Sequence, residues 1–332
     1  MKIIVSLAAV AGLFLLGYLG AATKMTWVLL VFGVAVPYVA VVMLLGGLTY
    51  RVMSWAASSV PFRIPTTCGQ QKSLGWIKQE KLENPHNTLT VIGRMALEVL
   101  LFRSLMRNTK TRLTADKNLV YATDLSLWAG AMAMHWALLL ILIRHLRLMT
   151  NPVPICVTFL EAADGFLEVG LPVIYVTSVL FLAGLAYLLV RRLTNPQVRY
   201  ISLPGDYFPL FLLLGIGISG FCLRHFFKTD VVAIKEMTLG LVSFAPTVPD
   251  GISPLFFGHL LLVCALLAYI PLSKLTHLAG VFLSPTRNMA NSNRRVRHVN
   301  PWDYPVKVHP YDEYEDELRD KMKAAGLPVE KE

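Results

Sequence analysis

Long, nearly uninterrupted runs of apolar residues dominate the chain of 332 residues. Six such runs occur, at residues 3–22, 27–50, 126–149, 168–190, 207–227 and 254–275. Each is long enough to cross a hydrocarbon core of about 30 Å at about 1.5 Å per helical residue. A membrane β-barrel would instead need segments of about ten residues with alternating hydrophobicity. The pattern predicts an all-α fold, a polytopic transmembrane helix bundle of six spans.

The composition agrees with this prediction, since 55% of the residues are hydrophobic, 16% are charged and the mean hydropathy is +0.55. A soluble protein of this size carries more charge on its surface. The first run has one other interpretation, because Lys2 and the small residues Gly20, Ala21 and Ala22 resemble the ends of a signal peptide. We interpret it as a membrane span.

The basic residues predict how the spans are oriented. The 51–125 loop holds eleven lysines and arginines, the 150–167 loop holds none and the 228–253 loop holds two. Further basic residues follow the fourth and sixth runs. Six spans with both termini in the cytoplasm satisfy every loop, so we expect a multi-pass protein of the cytoplasmic (inner) membrane. The net charge of +10 is then mostly a topology signal, and no nucleic-acid partner is expected beside the lipid bilayer.

The same pattern divides the chain into four segments. Residues 1–50 form two N-terminal spans, 51–125 a cytoplasmic loop, 126–275 a four-helix core and 276–332 a cytoplasmic tail. Within the loop, residues 88–113 mix apolar and basic positions as a helix on the membrane surface does. The tail predicts a short charged helix at 312–325 and a docking role on a cytoplasmic subunit.

Histidines within the apolar runs carry the candidate chemistry. His135 and His145 lie ten residues apart in the third run, and His259 and His277 lie eighteen apart at the sixth. Ionisable groups at this depth cost a few kcal/mol, so they are functional candidates by default. In antiparallel neighbouring helices, His135 faces His277 towards the cytoplasm (the inner pair), and His145 faces His259 towards the outside (the outer pair).

Two imidazoles on facing helices are the ligands of a low-spin haem b, one on each side of the iron. Arg144 and Arg147 flank His145, where guanidinium groups could bind the haem propionates. The fit is imperfect, because ten helical residues span about 15 Å and eighteen span about 27 Å. His225 is a reserve ligand. Zinc is the alternative metal, although its sites usually recruit carboxylates or thiolates.

Two other signals have simpler explanations. The sequence GIGISG at 215–220 matches a dinucleotide-binding pattern, but it lies in the middle of an apolar run, where glycines favour close helix packing. The four cysteines are scattered without metal-binding spacing, which argues against a zinc site, a covalent haem or an iron–sulfur cluster held by this chain. Unpaired thiols are the expected outcome.

The two histidine spacings resemble the nitrate reductase gamma subunit family of dihaem cytochromes b. From the second span to the tail, the chain is similar to the DsrM type of cytochrome b subunit in the DsrMKJOP complex of sulfate-reducing organisms, and three stretches carry this similarity. They are VPFRIPTTCGQQKSLGWIK (60–78), YISLPGDYFPLF (200–211) and SPLFFGHLLLVCALLAYIPLSKLTHLAGVFLSPTRN (253–288).

The resemblance implies two bis-histidine haem b groups, the inner on His135 and His277 and the outer on His145 and His259. It implies electron exchange with the menaquinone pool in dissimilatory sulfur metabolism. The implied partners are a cytoplasmic iron–sulfur subunit resembling heterodisulfide reductase, a multihaem cytochrome c, an iron–sulfur protein and a second quinone-reactive membrane subunit.

The quinone site is expected beside the outer pair, with a carboxylate to accept the protons that a quinol loses. Asp164 and Glu168 are the first choice, since they are four residues apart where the fourth run begins and could share a helical face. Lys235 comes next, as a partner for a carbonyl oxygen. Two other functions remain open: a transporter or proton channel with a histidine relay, and a haem-free membrane anchor. An electron-transfer subunit accounts for the paired histidines more fully than either.

Overall fold

The computed structural model describes residues 1–58, 69–107, 109–165, 173–227, 229–284, 287–291 and 308–331. Within these ranges, six helical segments are long and apolar enough to cross a membrane. They are Lys2–Ala22, Thr26–Ala56, Leu125–Met149, Val176–Thr194, Pro204–His225 and Pro254–Leu272. The all-α bundle of six spans is therefore confirmed, and the chain is a multi-pass membrane protein.

The helices follow one another along the chain with one short hairpin between them. They are α1 (Lys2–Ala22), α2 (Thr26–Leu30), α3 (Val36–Ala56), α4 (Thr88–Leu101), α5 (Leu125–Met149), α6 (Ile155–Asp164), α7 (Val176–Thr194), α8 (Pro196–Ile201), α9 (Pro204–His225), α10 (Val231–Val242), α11 (Pro254–Tyr269), α12 (His277–Leu283) and α13 (Tyr311–Ala324). Strands β1 (Lys110–Leu113) and β2 (Leu119–Ala122) pair antiparallel. A π-helical segment, Val31–Ala35, joins α2 to α3 in one span.

The spans form two groups that meet along α9. Helix α1 packs against α9 and α11, and α11 also contacts α3. Helix α5 packs against α7 and α10, while α7 reaches α9. Among the described helices, α5 and α11 are not a closely packed pair, although they carry three of the four histidines in question. The bundle therefore holds these two helices opposite each other without direct packing of their backbones.

The first span is an integral part of the bundle. A Cβ atom added at Gly17 would lie 2.7 Å from the Phe257 carbonyl oxygen, so only glycine allows α1 to approach α11 this closely. Gly258 meets Phe14 in the same crossing. At the start of α1, the Lys2 ammonium donates to the Ser202 carbonyl at 2.9 Å. These contacts favour our interpretation of the first run as a span.

The fourth span differs from its prediction. The apolar run predicted a helix from residue 168, whereas α7 begins at Val176 and a separate helix, α6, ends at Asp164. The Asp164 carboxylate accepts hydrogen bonds from the backbone N–H of Thr177 at 2.8 Å and from its hydroxyl at 2.5 Å. This carboxylate satisfies a free N–H in the first turn of α7, which helps to fix where that helix starts.

The predicted surface helix at 88–113 is only partly correct. Helix α4 begins at Thr88, capped by the Asn87 side chain, and ends at Leu101 because Phe102 adopts a left-handed conformation with φ of 48°. Residues 110–113 belong to β1, and the hairpin turn places Lys117 at φ 59°. The apolar and basic residues at 103–106 and 110–113 thus lie in a 3₁₀ turn and a strand, and they do not continue the face of a helix.

The tail contains the predicted charged helix, observed as α13 (Tyr311–Ala324). Its Glu315 is buried, and its carboxylate accepts hydrogen bonds from the backbone N–H groups of Glu330 and Lys331 at 2.7 and 2.8 Å. Those contacts lower the pKa of Glu315. The tail therefore folds back on its own helix. Residues 292–307 of the tail, for which docking on a cytoplasmic subunit is also predicted, lie outside the described residues.

Candidate functional site

The structure brings the two residues of the inner histidine pair close together. His135 lies in α5, His277 opens α12, and their ring centres are 6.1 Å apart with the ring planes at 79°. The Phe102 ring also packs edge-on against the His135 ring, with 5.0 Å between the centres. The two imidazoles are thus close but not stacked, and a third aromatic ring fixes one of them.

His277 reaches this position by a route that the sequence interpretation did not foresee. The eighteen-residue spacing predicted that His259 and His277 share one face of one helix, but α11 ends at Tyr269. Two short 3₁₀ turns, Ile270–Leu272 and Lys274–Thr276, separate it from α12. Pro271 lies in the first turn, and its carbonyl accepts a hydrogen bond from the Arg51 guanidinium at 2.9 Å. His259 and His277 therefore lie in two separate helices, and the separation of about 27 Å expected for one continuous helix does not apply to them.

The outer pair also faces across the bundle. His145 in α5 and His259 in α11 are near enough to interact electrostatically. The side chain of His145 is exposed on the surface of the described chain, and His259 is half-buried. The outer histidines therefore lie within electrostatic range of each other, on two helices whose backbones are not closely packed.

All four histidines have the same ring nitrogen engaged. The Nδ1 atoms of His135, His145 and His277 lie 2.8, 2.7 and 3.0 Å from the carbonyl oxygens of Ala131, Ile141 and Lys274. The Nδ1 atom of His259 lies 2.9 Å from the Ser219 hydroxyl. A carbonyl oxygen can only accept, so in the first three histidines Nδ1 carries the proton and Nε2 keeps its lone pair. Nε2 is then the atom available to a metal.

The reserve ligand, His225, has a different environment. Its ring lies against Phe221 with 4.3 Å between centres, and it makes no hydrogen bond to any residue that the structure describes. The geometry therefore favours His259 over His225 as the partner of His145. In the described ranges, no group of three or more histidine, cysteine, aspartate or glutamate side chains is arranged to hold a metal ion.

Arg144 is part of a buried polar cluster next to His145. Its guanidinium donates to the Thr177 hydroxyl at 3.0 Å, and its Nε lies 3.4 Å from the Asp164 carboxylate. The same guanidinium lies 3.8 Å from the centre of the Tyr175 ring, and the Arg224 guanidinium lies 4.4 Å from the same ring centre. A tyrosine in contact with two guanidinium groups was not predicted, because only the fold brings residue 175 close to positions 144 and 224.

The other predicted site residues are more dispersed. Arg147 forms an ion pair with Glu161 at 2.8 Å and is about half exposed. Lys235 lies half-buried in α10, which packs on α5 through the hydrogen bond from Thr238 to the Leu148 carbonyl. Glu168 lies outside the described residues. The expectation that Asp164 and Glu168 share the first turn of the fourth span is wrong, because Asp164 ends α6.

The glycines of GIGISG lie inside α9 and permit close contacts. Added Cβ atoms would lie 3.1 Å from Leu262 at Gly215, 2.8 Å from Leu182 at Gly217 and 3.2 Å from His259 at Gly220. This arrangement confirms the packing interpretation, and the sequence lies in a membrane span rather than between a strand and a helix.

Known proteins resemble this chain over most of its length. Residues 90–298 match the nitrate reductase gamma subunit family. The chain is 44% identical over 282 residues to a protein of Archaeoglobus fulgidus named Hdr-like menaquinol oxidoreductase cytochrome b-like subunit, covering 82% of this chain and 83% of that protein. A protein of the same name from Archaeoglobus profundus is 42% identical over 277 residues, covering 81% and 82%.

Proposed function

Because the chain belongs to the nitrate reductase gamma subunit family, we propose that it is a dihaem cytochrome b that passes electrons from menaquinol to a cytoplasmic iron–sulfur subunit. The relatives named as menaquinol oxidoreductase cytochrome b-like subunits support a quinone-linked membrane cytochrome. The finer assignment to the DsrM type, and to sulfur metabolism, rests on the sequence resemblance.

The observation that carries the proposal is the geometry of the histidine pairs. Metal–nitrogen bonds of about 2 Å to two opposed imidazoles put the ring centres about 6 Å apart. His135 and His277 have centres 6.1 Å apart. Their Nδ1 atoms are engaged by carbonyl groups, which leaves Nε2 for iron. In the outer pair, on α5 and α11, the Nδ1 atoms are likewise engaged, by the Ile141 carbonyl at His145 and by the Ser219 hydroxyl at His259.

The spacing of the helices also fits a flat cofactor. Helices α5 and α11 face each other without close packing, and the His145 and His277 rings remain accessible. When bound, the two haem b groups would supply two one-electron carriers, one towards each membrane surface. The protein would hold the ligand rings and would offer Arg144 and Arg147, which flank His145, to the propionates.

The proposed menaquinol site lies beside the outer pair. A quinol loses two protons and two electrons, so a group that accepts protons must line the site. Asp164, Glu168 and Lys235 remain our proposals for this role. Both Asp164 oxygens already accept hydrogen bonds from Thr177, so we expect its variants to lose stability as well as rate. Lys235 has no partner among the described side chains and is free to bind a carbonyl oxygen.

The proposed partners follow from the same resemblance. A cytoplasmic iron–sulfur subunit resembling heterodisulfide reductase would accept electrons at the inner pair, in agreement with the Hdr-like names of the relatives. A multihaem cytochrome c, an iron–sulfur protein and a second quinone-reactive membrane subunit would complete the complex.

Spectroscopy of histidine variants tests the proposal. We expect His135→Ala and His277→Ala to remove one reduced-minus-oxidised α-band component, and His145→Ala and His259→Ala to remove the other. His225→Ala is the control and should keep both. The proposal requires the two members of a pair to affect the same haem. If His145→Ala and His135→Ala abolish one common component, the pairing is wrong.

Quinol reduction tests the site beside the outer pair. A menaquinol analogue is added to the purified protein, and the rate of haem reduction is measured in the wild type and in Asp164→Asn, Glu168→Gln and Lys235→Ala. Glu161→Gln is the control, because Glu161 pairs with Arg147 at the rim. We expect slower reduction in the first three variants with their haems retained. Wild-type rates in all three would move the proton acceptor elsewhere.

A further inference from the structure

One of the four histidines is held differently from the others. His135, His145 and His277 each bond to a carbonyl of their own segment, three or four residues earlier. His259 instead bonds across to α9, where the Ser219 hydroxyl lies 2.9 Å from its Nδ1 atom. The orientation of His259 thus depends on a side chain of another span.

The direction of this hydrogen bond follows from the bonds of the serine. A hydroxyl has a single proton, and Ser219 directs it to the Gly215 carbonyl oxygen at 2.6 Å. Ser219 therefore accepts a hydrogen bond from His259 Nδ1–H, and Nε2 keeps its lone pair. The backbone of Ile216 is a further hydrogen-bond partner of the same ring.

The neighbouring residue in α9 gives the ring its space. A Cβ atom added at Gly220 would lie 3.2 Å from His259 Cε1, closer than most such contacts. Ser219 itself is buried, with 5% of its surface exposed. Ser219 and Gly220 thus position the His259 imidazole together. The hydroxyl fixes the rotation of the ring, and the glycine allows the ring to lie close to α9.

We propose that Ser219 is a positioning residue that fixes and tunes His259 as a ligand of the outer haem, an inference that rests on the proposed function. An acceptor on Nδ1–H raises the basicity of a ligating imidazole and fixes its tautomer. A more basic ligand favours the oxidised iron and so lowers the reduction potential. Hydrogen bonding around ligands is one of the means by which proteins set haem potentials. Because Ser219 contacts only the outer ligand, its effect is confined to one of the two haems.

A redox titration of the full-length protein tests this inference. We expect Ser219→Ala to shift the midpoint potential of the outer haem to a more positive value and to change its low-spin electron paramagnetic resonance spectrum. The inner haem stays unchanged. Ser219→Thr keeps a hydroxyl and should restore both properties. The outer haem is identified beforehand by its loss in His259→Ala.

Ser6→Ala is the matched control. Ser6 is also buried, and its hydroxyl also lies near a carbonyl of its own helix, Lys2 at 3.1 Å, and near one of another helix, Pro204 at 3.0 Å. Its substitution should leave both potentials at their wild-type values.

The outcomes separate this inference from the proposed function. Unchanged potentials in Ser219→Ala, or equal shifts of both haems, overturn the role of Ser219 while the dihaem assignment stands. Loss of the outer haem in both Ser219→Ala and Ser219→Thr indicates a packing role and also overturns it. A wild-type protein without haem contradicts the proposed function, and this inference with it.

Discussion

Arg144 shows how a single residue next to a candidate ligand is constrained by its neighbours. The guanidinium is 8% exposed, bonded to Thr177, paired with Asp164 and stacked on Tyr175. The sequence suggested only that it could bind a propionate. The structure adds that this arginine also joins α5 to the start of α7, so its loss has a structural consequence beside any effect on a cofactor.

Substitution of Arg144 should therefore destabilise the protein strongly. Arg144→Met leaves the Asp164 carboxylate buried without its charged partner, which costs about 3–5 kcal/mol. Arg147→Met is the control, since its pair with Glu161 is half exposed and contributes about 0–1 kcal/mol. Thermal unfolding in detergent measures both. Restoration of stability in Arg144→Met combined with Asp164→Asn is also expected, and equal unfolding temperatures for the two single variants would contradict the account.

Asp124 is a second residue whose chemistry depends on position. It caps α5 through the Leu127 N–H at 3.1 Å and pairs with Arg191 of α7 at 3.0 Å. Its hydrogen bond from Ser126, followed by the bonds from Leu127 and Arg191, lowers its pKa to about 2. The ionised carboxylate thus stabilises the contact between two spans.

This shift predicts a pH dependence of stability. A depressed pKa contributes stability that is complete above the unfolded value of about 3.9 and is lost as the pH falls towards the folded value. We expect Asp124→Asn, which keeps a capping group, to remove on the order of 1 kcal/mol at neutral pH. The difference in the free energy of unfolding between the wild-type protein and Asp124→Asn should shrink as the pH falls from about 4 to about 2. The same difference at pH 7 and pH 2 would contradict this explanation.

At the scale of elements, the apolar runs predicted the spans because hydrophobic length is a local property. Four of the six spans begin within one residue of their runs, and the fifth begins three residues earlier, at Pro204. The fourth did not follow its run, because its start depends on Asp164, thirteen residues before Thr177. The break after Tyr269 was also missed, although Pro271 was a signal for it. Both errors concern where a helix begins or ends, and tertiary contacts decide those boundaries.

The site could be predicted to the same extent. Histidine spacing identified the four candidate ligands, and the distance between His135 and His277 agrees with the predicted inner pair. The roles of Tyr175, Ser219 and Phe102 could not be predicted, because each touches its partner only across separate segments. Hydropathy carries no information about such contacts.

The crossing of α1 and α11 offers a test of helix packing. Gly17→Val places a side chain where a Cβ already lies 2.7 Å from the Phe257 carbonyl. We expect this overpacking to cost about 1–3 kcal/mol and to weaken the bundle near His259. Gly12→Val is the matched control, as nothing lies within 4 Å of a Cβ added there. Similar stability losses in both variants would show that helix propensity, rather than the crossing, is responsible.

At the scale of the whole molecule, the orientation of the chain in the membrane determines which histidine pair lies near the cytoplasmic subunit and which lies near the quinone site. The distribution of lysine and arginine predicts that both termini and the 51–125 loop lie in the cytoplasm. A reporter that is active only in the cytoplasm should therefore be active when it is fused to either terminus. A reporter that is active only outside the membrane should be active when it is inserted in the 150–165 segment. The opposite result would mean that the inner pair lies near the outer surface and that the proposed quinone site lies near the cytoplasm, and it would contradict the predicted orientation.

Haem content tests the central claim most directly. The wild-type protein is purified with its cofactors, and the haem b to protein ratio is measured together with the dithionite-reduced absorption spectrum. Two pairs of ligands predict two haem b groups per chain. The reduced spectrum should show sharp α and β bands from iron with two imidazole ligands. A protein that is folded, membrane-inserted and assembled with its partners but contains no haem would contradict the account, and a single haem would contradict the second pair.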